Sequence, residues 1–180
     1  MNYKKFTEDA YRIASEHGFH DTMHPMAHYL MLVVTEISEC VEADRKGKYA
    51  DVDKMEESLI ACESDELWKQ EFEKYIKDSM EDEMADIAIR IFDCAAAYGY
   101  VLEEVDYTEL PHYPTDFDTF TERAFQLCDL MTEIYSARTM SLALQYLIEW
   151  AEWSDCNLEW HIEQKMKYNA MREKRHGKKY

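Results

Sequence analysis

Met80-Glu81-Asp82-Glu83-Met84-Ala85-Asp86-Ile87-Ala88-Ile89-Arg90-Ile91-Phe92-Asp93 opens the stretch, running to Gly99, whose reading decides the fold. At about 100° per residue, Met80, Met84, Ile87, Ala88, Ile91 and Ala95 fall on one apolar stripe. Glu83, Asp86, Arg90, Asp93 and Ala97 share a second face, and its neighbours Ala85, Ile89 and Phe92 are apolar too. A helix apolar around most of its circumference is a buried one, so these carboxylates are expected to lose water. Buried carboxylates require a cation, a hydrogen-bond donor or a proton. Arg90 can serve one of them. A hard divalent metal serves the rest, provided that a second acidic helix faces this one.

Such a helix is predicted upstream, from about Pro25 to Lys46. Leu30, Val33, Val34, Ile37 and Val41 form its core stripe, while Leu32, Glu36, Glu39 and Ala43 gather on a second face. Glu36 and Glu39 stand at i and i+3, so both carboxylates can reach one ion. Glu42 points elsewhere, into solvent. Arg45-Lys46-Gly47-Lys48 supplies a basic, glycine-containing end. Before it, Phe6 to His17 reads as an amphipathic helix stopped by Gly18. The turn His17-Gly18-Phe19-His20-Asp21 carries an aromatic that either tucks under the helix end or touches a ligand.

The rest of the chain is read around these two helices. Tyr49 to Lys77 is charged and weakly periodic, yet Leu59, Ile60, Leu67, Trp68, Phe72 and Tyr75 give it the apolar content of a lid-like helical excursion. Leu110-Pro111-His112-Tyr113-Pro114 is a Pro-rich break. A helix pair follows, from Phe117 or Thr119 to Ser136 and from Met140 to Trp153. Its apolar faces without clustered acids suit a scaffold or an oligomer interface. In the last helix, about Leu158 to Lys174, Lys165, Asn169, Arg172 and His176 are spaced +4, +3 and +4 along one stripe. That stripe either grips a polyphosphate or is a solvated basic end neutralising an acidic body; composition favours the second.

Composition sets outer limits. At 180 residues one domain, 1–180, is the default. Only 4 Gly and 3 Pro point to a chain that is nearly all helix. A formal charge of -18 argues against nucleic-acid backbone or an anionic membrane as the main partner, although the last sixteen residues hold seven of the 20 Lys+Arg. Cys40, Cys62, Cys94, Cys128 and Cys156 are scattered without a CxxC pair, as in a reduced compartment. With no 18-residue apolar run and no apolar segment after Met-Asn-Tyr-Lys-Lys, a cytoplasmic protein is expected.

The spacing acid-x-x-acid is common here: Glu39/Glu42, Glu63/Glu66, Glu103/Asp106 and Glu149/Glu152 also fit. What lifts Glu36/Glu39 and Glu83/Asp86 above them is their place on the second face of an otherwise apolar helix. On residues alone, a metal site and a pair of interhelical salt-bridge networks both remain.

Thr35-Glu36-Ile37-Ser38-Glu39, Asp82-Glu83-Met84-Ala85-Asp86 and Lys165-x-x-x-Asn169-x-x-Arg172 with His176-Gly177-Lys178 together resemble the MazG-like nucleotide pyrophosphohydrolases. These belong to the all-α NTP pyrophosphatase superfamily, with the dimeric dUTPases and dCTP pyrophosphatases. The likeness spans about 6–46, 80–100 and 158–179. It implies an all-α helical bundle, here with an inserted charged segment (about 49–77) and an extra helix pair (about 117–153). The implied reaction splits a ribo- or deoxyribonucleoside triphosphate into monophosphate and pyrophosphate. Mg²⁺, or Mn²⁺ in its place, would be held by Glu36, Glu39, Glu83 and Asp86, with Glu39 accepting the proton of the attacking water. Lys165, Asn169, Arg172 and Lys178 would hold phosphates. Phe19 or Trp150 would hold the base, with Trp153 and Trp160 as further candidates. The expected assembly is a homodimer or homotetramer. Thr35 departs from the pattern, since a second acid often stands there. The alternative is a non-enzymatic acidic helical bundle that binds a partner. A di-iron bundle takes Glu-x-x-His on its helices, and neither acidic helix places a His three residues after a carboxylate.

Overall fold

A computed structural model describes residues 1–60, 64–106, 108 and 118–174, with the backbone alone at Leu59. The regular structure of the described residues is entirely helical: α1 Tyr3–Glu16, α2 Met26–Arg45, α3 Val52–Leu59, α4 Asp65–Tyr75, α5 Met80–Ala97, α6 Phe120–Thr132, α7 Ala137–Trp153 and α8 Leu158–Ala170. Expectations for Cys62, for the Leu110–Pro114 break, and for His176 and Lys178 lie outside the described residues.

α5 is the central helix. The Ser79 side chain caps it by accepting from the Asp82 amide, and Glu81, Asp82 and Glu83 in the first turn complement the helix dipole. It ends at Tyr98, followed by Gly99 in the left-handed region (φ 67) that closes many helices. Twelve of its 18 residues are buried, because α1, α2, α7 and α8 all pack on it. The apolar stripe ends up inside, as do Glu83 and Asp93 of the acidic face, while Asp86 and Arg90 stay partly exposed. From α2, Val33, Ile37 and Cys40 meet this helix with no exposed surface to speak of, and Phe92 packs 5.7 Å from Phe6 of α1. Each fully buried aliphatic or Phe side chain contributes about 1.5–3 kcal/mol.

The α6–α7 pair is capped at Thr119 and Ser136 by reciprocal side-chain and backbone bonds. Its inner residues, among them Leu127, Leu144, Leu147 and Trp150, belong to the same core as α1, α2 and α5. The pair is therefore scaffold. Phe125, Tyr135 and Trp153 of the same region stay exposed, so the pair also keeps an apolar outer surface.

The 49–77 excursion folds into α3 and α4 around a second apolar cluster of Met55, Trp68, Phe72 and Ile76, to which α8 contributes Tyr168. The Phe72 and Tyr168 rings stack at 4.8 Å, and Tyr168 donates its hydroxyl to Glu73 at 2.9 Å. The last helix stops at Ala170, four residues earlier than its periodicity predicts. Beyond it the chain crosses the end of α1, where His17 Nε2 lies 2.9 Å from the Arg172 carbonyl and Lys174 pairs with Asp21 at 3.2 Å. Gly18 turns the chain at that crossing with φ +80, a left-handed conformation that glycine adopts without strain. None of the described helices is long and apolar enough to cross a membrane.

Candidate metal centre and ligand pocket

Glu36 and Glu39 lie one turn apart on α2, and Glu83 lies on the first turn of α5. Packing of the two helices brings one oxygen of each carboxylate to within 4.8 Å of the others. Glu36 and Glu83 are buried, whereas Glu39 is exposed, so the group opens to solvent on the Glu39 side. Arg90 donates from Nε to Glu36 Oε1 at 2.9 Å. Glu83 Oε2 is buried and has no hydrogen-bond partner among the described residues. Burial, with the charge of Asp86 next, lifts the Glu83 carboxyl to about 8. Without a cation this group keeps its proton at neutral pH.

Asp86, the fourth expected ligand, is not in that group. Its Oδ2 lies 2.8 Å from Lys165 Nζ. The same ammonium donates to Asp82 Oδ2 at 2.6 Å, with only 5% of the Lys165 side chain and 1% of Asp82 exposed. Lys165 is thus a buried ion-pair partner of Asp82 and Asp86 and does not lie on a solvated tail. The physical reason lies in α8: Leu158, Ile162, Lys165 and Asn169 are all buried on its inner face, and Asp82, sunk into the α5–α8 contact, demands a cation there. Burial opposes the charge on Lys165, but Asp86 and Asp82 outweigh it and hold the ammonium above its ordinary value. Burial likewise raises the Asp82 carboxyl, to about 6, against the pull of Lys165. Asp78, Asp82 and Glu83 form a second acid group. Lys48 and Lys77 pair with Asp78, and Lys165 with Asp82, while Asp82 Oδ1, like Glu83 Oε2, has no hydrogen-bond partner among the described residues.

A pocket adjoins the Glu36 side of the centre. Its apolar wall includes Ile13, Ala14, Phe19, Ile89 and Met166; Glu36, Asp86, Arg90, Asp93, Asn169 and Arg172 supply its polar lining. Asn169 is buried and its Oδ1 has no hydrogen-bond partner among the described residues. Asn169 and Arg172 therefore line the same pocket as Glu36 and Asp86, Arg172 from the turn after α8.

Of the four aromatic candidates for a base, Phe19 lines the pocket. Trp150 does not: it is fully buried on α7, 4.8 Å from the Phe120 ring, where no ligand reaches it. Trp153 carries Arg123 over its ring at 4.4 Å, and Trp160 packs against the α3–α4 cluster. Sequence reasoning assigned no part to Asp82, nor to the pair of Asp93 and His20, whose Oδ1 and Nε2 are 2.6 Å apart. The signal for Asp93 was its place on the acidic face of α5. For His20 there was none, since its partner is distant in sequence.

Chemically, the three carboxylates offer hard oxygen ligands, and the pocket beside them joins an apolar wall to an amide and guanidinium groups. Comparison with protein-family models, with curated proteins and with solved structures gives no match.

Proposed function

We propose that the chain is a divalent-metal-dependent nucleoside triphosphate pyrophosphohydrolase of the MazG-like kind, acting as a homo-oligomer as that resemblance implies. The observation that carries the reading is the meeting of Glu36, Glu39 and Glu83 within 4.8 Å beside a pocket lined by Phe19, Asn169 and Arg172. The residues fit a hard cation: Glu83 has an orphaned buried oxygen and a carboxyl raised to about 8, both of which a cation would relieve. Glu36, Glu39 and Glu83 would hold Mg²⁺, or Mn²⁺ in its place. When bound, such an ion supplies charge neutralisation to the phosphates.

The chain's own groups do the rest. Arg90 fixes the Glu36 carboxylate, and Lys165 fixes Asp86 at the pocket wall. Asn169 and Arg172 bind phosphate oxygens, the second with a planar fork of donors. Phe19 covers the base. Glu39, on the open side, accepts a proton from the water that attacks the α-phosphorus as the bond to the leaving pyrophosphate breaks.

A structural acidic bundle is the competing reading, and the Glu36–Arg90 and Asp86–Lys165 pairs are what favours it. A panel of ribo- and deoxyribonucleoside triphosphates, assayed for pyrophosphate release with Mg²⁺ and with EDTA, separates the two. Release with Mg²⁺ alone supports the enzyme; no release from any of them removes it.

A further inference from the structure

Asp93 lies seven residues beyond Asp86, about 10 Å along α5, and lines the same pocket. That is the scale of the step from the phosphates of a nucleotide to the edge of its base. Asp93 is buried, yet its orientation is set from outside its own helix. His20 Nε2 lies 2.6 Å from Asp93 Oδ1, and the Tyr29 hydroxyl lies 3.3 Å from His20 Nδ1. Read as donors and acceptors, Tyr29 O–H gives to Nδ1 and Nε2–H gives to the carboxylate. One oxygen of Asp93 is thereby occupied. The other takes no hydrogen bond from the described residues, and a carboxylate can only accept. Phe19, adjacent in sequence to His20, lines both the ligand pocket and a smaller recess that Asp93 shares.

We infer that Asp93, held by His20, selects the base: it accepts a hydrogen bond from an exocyclic amino group, so that nucleotides of cytosine or adenine type are used in preference to those of uracil or thymine type. This rests on the pyrophosphohydrolase reading. An exocyclic amine projects two N–H bonds clear of the ring. The imide N–H of uracil or thymine is flanked on both sides by carbonyl oxygens, which a carboxylate repels. A site built around a buried acceptor rejects a partner lacking the matching donor, because the acceptor is then left unpaired.

The test is the ratio of kcat/KM for CTP to that for UTP, measured on the wild type, on Asp93→Asn and on His20→Gln. The wild type should favour CTP by about ten- to a hundredfold. Asp93→Asn, whose amide can turn its NH₂ toward a keto oxygen, should bring the ratio to one or below. His20→Gln should lower it part of the way. If Asp93→Asn does not fold, the wild type decides alone with the triphosphate of 2-pyrimidinone riboside, which lacks only the amine and should lose the same factor. A wild type that cleaves UTP as well as CTP, or an Asp93→Asn ratio equal to wild type, overturns this inference and leaves the pyrophosphohydrolase standing. No turnover of any nucleotide overturns both.

Discussion

At the scale of single residues, Glu83 carries the sharpest consequence. Its carboxyl is raised from 4.5 to about 8 by burial and by Asp86. Between those values the folded chain holds a proton that the unfolded chain has released, so stability falls as pH rises. In EDTA, urea denaturation from pH 5 to pH 8 should show stability falling by up to ~1.4 kcal/mol per pH unit from this group. Glu83→Gln should flatten that fall, and an unchanged slope would show that Glu83 ionises freely. The spacing of Glu36, Glu39 and Glu83 was legible in the sequence, because helical periodicity fixes the azimuth of each side chain. What stands opposite an azimuth is not in the periodicity. Asp86 was read as a ligand and Arg90 as serving one of the acids, whereas Arg90 went to Glu36 and Lys165 to Asp86. Substituting Asp86 therefore disturbs an ion pair as well as any metal site, and Glu83 is the cleaner probe.

Among elements, the α5–α8 contact is where the sequence reading and the structure part. Lys165, Asn169 and Arg172 were read as one cationic stripe. Extending that stripe backward through Ile162 to Leu158 shows that it continues an apolar face, which is why Lys165 is buried. The α8 ammonium is then a structural cation for α5. Lys165→Met leaves Asp82 and Asp86 uncompensated and should cost about 3–5 kcal/mol, whereas Lys165→Met with Asp82→Asn should recover part of that loss. Equal stability of wild type and Lys165→Met in urea would return Lys165 to the role of a phosphate ligand. Helix existence was legible for α1, α2 and α5 to α8, while α3 and α4 were read only as one helical excursion. The ends were less so: α8 stops early at Ala170, and beyond it the Arg172 carbonyl meets His17, a contact 155 residues apart in sequence.

For the whole molecule, low Gly and Pro content foretold helix, and the described residues contain no other regular structure. A body of charge -18 still draws three acids together on α2 and α5, Glu36 and Glu83 buried and Glu39 exposed. The extra helices divide their work. α6 and α7 complete the core with α2 and α5, and α3 and α4 pack against Trp160 and Tyr168 of α8. On the proposed function, the meeting of Glu36, Glu39 and Glu83 is a metal centre and not a salt-bridge network. Thermal melting of wild type and Glu83→Gln, each in EDTA and in Mg²⁺, separates the two. Mg²⁺ at a hundredfold its Kd stabilises by about 2.7 kcal/mol, a rise of roughly 5–10 °C in Tm for a chain of this size. A metal centre requires that rise in the wild type; Glu83→Gln should melt no lower than wild type in EDTA and lose most of the Mg²⁺ response. A wild type unmoved by Mg²⁺, with Glu83→Gln melting lower in EDTA, would contradict it.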